Sequence, residues 1–391
     1  MLKVKGAICG GMLLLLTGCF PFLQQDTDDI SIEDSSDEQD VQIVPRIVTP
    51  ENYYQSVLQD GVYPHGQSRG FGNAVVYNRL DLEQLELGLT SIAQDQFDPE
   101  RYVFREGQYI TRNELNSWLS RYEEEENELG LNPALGEGET MKDREESQPR
   151  YLSHILEHNY LIQNENDQLE LGGIVIGLSM NSVYNFRVED DQGLYYHYEK
   201  PIEQAQMLSE GQKIAEKVVA RLRSENREEG ALQNVPIVVA IFKEQPRESA
   251  IPGNFIAKAV AEPEKELERF QDINEQYYLF PSKDATKDVA SDAEQFQRFK
   301  EEVQSFFDSY LGVVGKGYYV DNQLQELTIE IPLRFQGKAE IVALSQYIAD
   351  RLSQRFPESL KLNIYVTSVA GKQESIIVRN PNEEPFIHIY D

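Results

Sequence analysis

Cysteine is nearly absent: among 391 residues there are two, Cys9 and Cys19, both close to the N-terminus. A body without thiols forms no disulfides and has no cysteine nucleophile, so an exported form must be held by its apolar core. Cationic residues are also scarce, with 36 Lys and Arg against 67 Asp and Glu. A surface this acidic repels phosphates and anionic head groups, which argues against nucleic acid as a partner. Beyond the first twenty residues or so, no apolar run is long enough to span a bilayer. The glycine-rich stretch at 60–72 lacks the Gly-Lys-Ser/Thr ending of a phosphate-binding loop.

What is present begins at the N-terminus. Lys3 and Lys5 precede an uncharged run, 6–16, containing Leu13, Leu14, Leu15 and Leu16. That is the build of a secretory signal, too short for a spanning helix. It ends in Leu16-Thr17-Gly18-Cys19, which looks like a bacterial lipobox. Cleavage between Gly18 and Cys19, with a diacylglyceryl group on the Cys19 sulfur, is the expected processing. The lipoprotein-processing enzymes are then partners, and the chain is expected to be anchored on the outer face of a membrane. Two acyl chains hold stably where one is marginal. Removing Lys3 and Lys5 leaves 34 cationic against 67 anionic residues, a net charge of −33.

Residues 19–44 carry Asp26, Asp28, Asp29, Glu33, Asp34, Asp37, Glu38 and Asp40 and no Lys or Arg. Such a segment is expected to be a disordered, self-repelling tether. A mixed segment follows at 45–150. Its glycine-rich loop offers His65, Ser68 and Arg69 to an anionic ligand, or is simply a surface turn. Thr111-x-x-Glu114 reads as a capping box opening a helix through Leu115, Trp118, Leu119 and Tyr122 toward the solvated Glu123–Glu126 run. A polar loop is expected at 130–148.

The C-terminal part reads as a repeat at 151–262 and 312–391 joined by a connection and linking helix at 263–311, whose stripe is Phe296, Phe299, Val303, Phe306 and Phe307. Each copy is predicted as hairpin, helix, strand, strand. The helices are marked by Ile214, Val218 and Leu222 in one copy and Ile341, Leu344, Ile348 and Leu352 in the other. The following strands are 235–242 and 253–260, against 360–366 and 384–390. Short hairpin links favour antiparallel sheets with helices on one face, an α+β class.

His154, Glu157 and His158 form an H-x-x-E-H pattern, in which two histidines one helical turn apart bind zinc and the glutamate acts as base. On a helix, Leu152, Ile155, Leu156 and Tyr160 would share one side and the two histidines the solvent side. The sequence therefore offers a solvated helix face, or alternatively a zinc-dependent envelope hydrolase. His388 reads as a packed or edge residue of the last strand. His197 lies in the tyrosine-rich stretch 194–198, suited to a half-exposed strand or to stacking on sugars. No cofactor is implied.

The lipobox, the acidic tether, Gly107-Gln108-Tyr109-Ile110-Thr111-Arg112 before Trp118-Leu119, Gly130-Leu131-Asn132-Pro133, Tyr151-Leu152-Ser153-x-Ile155-Leu156-Glu157 and the repeat occur in this order. Together they resemble the CamS family, lipoproteins of Bacillus- and Staphylococcus-type bacteria named as sex pheromone precursors. The resemblance implies a pheromone-type peptide trimmed from the end of the cleaved signal, here Met12-Leu13-Leu14-Leu15-Leu16-Thr17-Gly18. It implies a non-catalytic body, for which a cell-wall or surface-protein ligand is expected.

Overall fold

The computed structural model describes residues 30–32, 42–44, 53–68, 81–307, 311–334 and 337–391. Leu16, Thr17, Gly18, Cys19 and Arg69 lie outside them. The tether prediction needs correcting where it is described: β1 (Ile30–Ile32) pairs antiparallel with β2 (Gln42–Val44), and β2 with β3 (Leu58–Gln59). β-Branched residues in both β1 and β2 favour extended backbone despite the surrounding charge.

The chain then enters α1 (Leu82–Ala93), β4 (Tyr102–Glu106), α2 (Arg112–Leu119), α3 (Met141–Ser147), β5 (Leu152–Gln163) and β6 (Leu169–Met180). Helix α2 opens on the expected box: Glu114 N–H donates to Thr111 Oγ1 at 3.3 Å and Thr111 N–H to Glu114 Oε2 at 2.9 Å. It stops at Leu119, before the Glu123–Glu126 run, because Ser120 turns extended. Part of the predicted polar loop at 130–148 is helical instead, since Thr140 and Asp143 form a second reciprocal cap on α3.

Strands β7 (Val183–Glu189) and β8 (Tyr195–Pro201) form a separate ribbon, followed by α4 (Gln204–Leu222), β9 (Ile237–Lys243), β10 (Asn254–Ala261) and β11 (Gln271–Asp272). The first six-stranded sheet runs β4-β5-β6-β9-β10-β11. The rest of the chain is β12 (Glu275–Phe280), α5 (Lys283–Asp288), α6 (Ala290–Gln304), β13 (Val314–Val320), β14 (Gln323–Leu333), α7 (Lys338–Arg355), β15 (Lys361–Ser368), β16 (Gln373–Arg379) and β17 (Phe386–Ile389). The second sheet runs β12-β13-β14-β15-β16-β17. The class is α+β, and the pairings succeed one another in the same sense in both sheets. An antiparallel hairpin leads through a helix to a parallel neighbour, β6 with β9 and β14 with β15, and then to an antiparallel strand.

Three expectations about the repeat change. Each sheet has a leading strand, β4 or β12, so α6 lies within the second unit and not between the two. Only Phe296, Phe299 and Val303 of its stripe are buried within the helix, which ends before Phe306. The strand equivalent to β10 is β16, whereas the sequence pattern selected 384–390, where β17 lies. Strand β16 was hidden because two of its inward positions are polar: Ser375 and Arg379 flank Ile377. Ser375 meets Ser345 Oγ at 2.7 Å, and the Arg379 guanidinium donates to the carbonyls of Phe356, Pro357 and Leu360.

Each sheet buries one face under helices. In the first, α2 and α4 cover Ile155, Ile174, Ile176, Val239 and Ile241. In the second, α6 and α7 cover Leu327, Ile329, Ile331, Leu362 and Ile364. The other face of the first sheet is also covered, by Leu85, Leu89 and Ile92 of α1 over Val175, Val238 and Ala240. Gly173 lets this layer close: an added β-carbon would sit 2.2 Å from two atoms of the Phe97 ring, which stacks on Tyr160 at 5.0 Å. Gly173→Ala is expected to cost about 1–3 kcal/mol through overpacking. Urea unfolding checks this, and an unchanged midpoint would show that the ring yields.

Candidate ligand-binding cleft

Period-two alternation in the second sheet sends the aliphatic residues of β14 and β15 to α7 and leaves polar and aromatic residues on the opposite face. Pairing registers set these in rows across the strands. Tyr277 faces Tyr318, which faces Glu326, which faces Lys361. The next row brings Lys316, Thr328 and Asn363 together, and the third Glu330 and Tyr365. Among the described residues no helix caps these rows as α1 caps the first sheet. Instead the outer side of α1 rises beside them and encloses a cleft of about 930 Å³. Leu82 and Leu87 stand exposed on that wall, and Tyr53 lies at its edge.

The cleft is anchored at the seam of the two sheets. Asn254 Nδ2 donates to the Glu275 carbonyl at 2.9 Å, and Phe255 N–H to Glu275 Oε2 at 3.1 Å. The Tyr318 hydroxyl also donates to this carboxylate. Burial raises the Glu275 carboxyl, with the Tyr318 and Phe255 hydrogen bonds opposing. Burial, reinforced by neighbouring charge, likewise raises the Tyr277 and Tyr318 hydroxyls, which stay protonated donors. The tyrosine rings lie 5.0 Å apart. On the floor, Glu326 is held by Asn363 Nδ2 at 2.9 Å, Thr328 Oγ1 at 3.4 Å and Lys361 Nζ at 3.4 Å. Glu83 and Glu330 form no ion pair among the described residues. Period-two patterning in β14 was the available signal for this face, but any solvated sheet surface gives it.

The residues singled out from sequence lie elsewhere. His65 is exposed, with its ring 5.6 Å from that of Tyr63, and Ser68 is half-buried. Their loop is docked on the end of β4, where the Gly66 N–H donates to Glu106 Oε2 at 2.5 Å and Gln108 Nε2 to the His65 carbonyl at 3.2 Å. The helix predicted for His154, Glu157 and His158 is overturned: all three lie on β5 and are buried. A central strand buried on both faces is apolar almost throughout, so the helical spacing of Leu152, Ile155, Leu156 and Tyr160 was coincidental. Four residues along a strand separate the histidines by roughly 13 Å, and Glu157 points to the opposite face. Among the described residues no group of three or more His, Cys, Asp or Glu is placed to hold a metal ion.

Glu157 instead organises the turn between β4 and α2. Its Oε2 accepts from Ile110 N–H at 2.7 Å, its Oε1 from Tyr109 N–H at 3.1 Å and Gln108 N–H at 3.2 Å, and Asn159 Nδ2 adds a bond of 2.7 Å. Burial raises its carboxyl, against the pull of these four donors. The histidines face the α1 side, His158 with its ring edge 4.9 Å from Phe104. Burial alone lowers His154 to about 4 and His158 to about 3, so both are neutral near neutral pH. His388 is exposed on the edge strand β17, its ring 4.6 Å from Tyr390. His197 is exposed on β8.

A family model described as CamS sex pheromone cAM373 precursor matches residues 63–385. The chain is similar to a sex pheromone precursor from Lactobacillus salivarius subsp. salivarius UCC118, with 29% identity and a TM-score of 0.76 over 93% of this chain and 98% of that one. It is also similar to the C-terminal domain of the sex pheromone staph-cAM373 precursor from Staphylococcus aureus, with 28% identity and a TM-score of 0.66 over 79% of this chain and 96% of that one. No curated protein matches it. The match spans most of the chain, from before α1 to beyond β16: the protein belongs to the CamS family of sex pheromone cAM373 precursors.

Proposed function

We propose that this protein is a lipid-anchored surface protein. Its cleaved signal supplies a peptide from residues 12–18, and its folded body binds a component of the cell envelope without catalysing a reaction. Family membership supports the precursor role and a surface or extracellular location. The open polar and aromatic face of the second sheet carries the binding reading. A face covered by α1 in one sheet is, among the described residues, left uncovered in the other and lined with tyrosines, carboxylates and amides. Groups of this kind fix a polar ligand by hydrogen bonds and ring contacts.

Mass spectrometry of the membrane fraction and the culture supernatant of the producing cell tests the precursor role. A mature N-terminus at diacylglyceryl-modified Cys19 together with a supernatant peptide from Met12-Leu13-Leu14-Leu15-Leu16-Thr17-Gly18 is expected. Modified Cys19 without that peptide would remove the pheromone role and leave the binding body. Co-sedimentation of the chain from residue 19 onward with purified cell envelope tests the body. Recovery wholly in the supernatant would reject envelope binding.

A further inference from the structure

We propose that the cleft between α1 and the second sheet binds an oligosaccharide bearing free amino groups. This rests on the envelope-binding reading and names its ligand class. The lining excludes an apolar occupant: burying Glu83, Glu326, Glu330 and Lys316 beneath a hydrocarbon surface would strip them of water without giving partners. It also selects the sign of charge. Among the described residues lining the cleft, Asp81, Glu83, Glu275, Glu326 and Glu330 face two cations, Lys316 and Lys361, and Lys361 is already drawn to Glu326. The ligand should therefore be cationic, and an anionic glycan would be repelled.

A cation alone leaves the rest of the cleft unused. Thr328 and Asn363 sit between the charged rows with hydroxyl and amide groups able both to donate and to accept, the pattern that sugar hydroxyls satisfy. Tyr53, Tyr277, Tyr318 and Tyr365 supply apolar ring bodies with polar tips, which suit the alternating apolar and hydroxylated surface of a pyranose. Glu83 is near enough to add to the raised Tyr365 hydroxyl, so the helix wall and the sheet floor act on one ligand. Glu330, exposed and without an ion-pair partner among the described residues, is placed to take a ligand ammonium. The volume, about 930 Å³, is at the upper end of the range for small-ligand sites and fits a short oligomer.

Titration calorimetry of the chain from residue 19 onward, in mildly acidic buffer where the sugar amine is protonated, tests this with three probes: a β-1,4-glucosamine oligomer, its fully N-acetylated counterpart and oligolysine. The glucosamine oligomer is expected to bind at least about tenfold more tightly than either of the others, a factor equivalent to about 1.4 kcal/mol. Glu330→Gln and Tyr365→Leu should each weaken it about tenfold while thermal unfolding shows the variants folded. Equal binding of oligolysine would reduce the site to a charge trap and overturn the assignment, as would equal binding of the N-acetylated oligomer. A chain that sediments with envelope but ignores the glucosamine oligomer refutes the ligand class alone. One that does neither refutes the envelope reading as well.

Discussion

Replacing Glu157 with alanine is expected to destabilise the protein by about 3–5 kcal/mol, the cost of leaving several buried donors without an acceptor. The backbone N–H groups of Gln108, Tyr109 and Ile110 and the Asn159 amide all converge on this one carboxylate. The site is too tight to admit replacement water easily, because Gly107 packs against Glu157 so closely that an added β-carbon would lie 2.5 Å from the Glu157 β-carbon. The loop also places Thr111, the cap of α2, and holds the Tyr109 carbonyl that accepts from Arg227. Glu157→Gln keeps one acceptor oxygen but turns an amide donor toward other donors, so an intermediate loss is expected. Urea unfolding monitored at Trp118, buried on α2, reads both variants. An alanine variant within about 1 kcal/mol of the parent would mean that the loop finds other acceptors.

The two buried histidines should together cost the parent about 3–4 kcal/mol of stability between about pH 7 and about pH 5, and half of that contribution should vanish in His158→Leu. Both histidines have a folded-state pKa depressed below the ordinary 6.5, to about 4 and about 3. Above 6.5 neither state binds these protons, so the full stability is present. Below 6.5 the unfolded chain takes them up while the buried rings do not, and stability falls until the pH reaches the folded-state values. Each histidine contributes about 1.4 kcal/mol per pH unit across that window. Glu157 and Glu275 act in the opposite direction, because their raised carboxyls bind protons in the folded state first. Comparing parent and variant cancels that background. Among the described residues the two Nδ1 atoms have no hydrogen-bond partner, so nothing at these atoms favours the charged ring. Parallel pH profiles for the parent and His158→Leu would sink this account.

The helices most legible in the sequence are those packed on one side only. Ile214, Val218 and Leu222 of α4 and Ile341, Leu344, Ile348 and Leu352 of α7 recur at helical spacing and are buried. Strand β14 was equally plain, since Leu327, Ile329, Ile331 and Leu333 alternate with outward residues. Strand β5 was misread because both of its faces are covered, which erases the period-two signal and leaves accidental spacings to suggest a helix. Strand β16 was passed over because Arg379 and Ser375 point inward and find partners only after folding.

Local chemistry along the chain determined the lipobox-like pattern at residues 16–19, the thiol-free body, the acidity, the capped start of α2 and the α+β class, because each depends on residues close in sequence. Tertiary structure alone decided the cleft. Residues 82–94 of α1 and its flank meet strands that begin nearly two hundred positions later, and the open face exists because α1 covers the first sheet and only borders the second. The same long-range packing turned the H-x-x-E-H pattern into two isolated neutral histidines and a carboxylate that organises a loop. Burial and partners set the role of an ionisable side chain, and both are fixed only when distant segments come together.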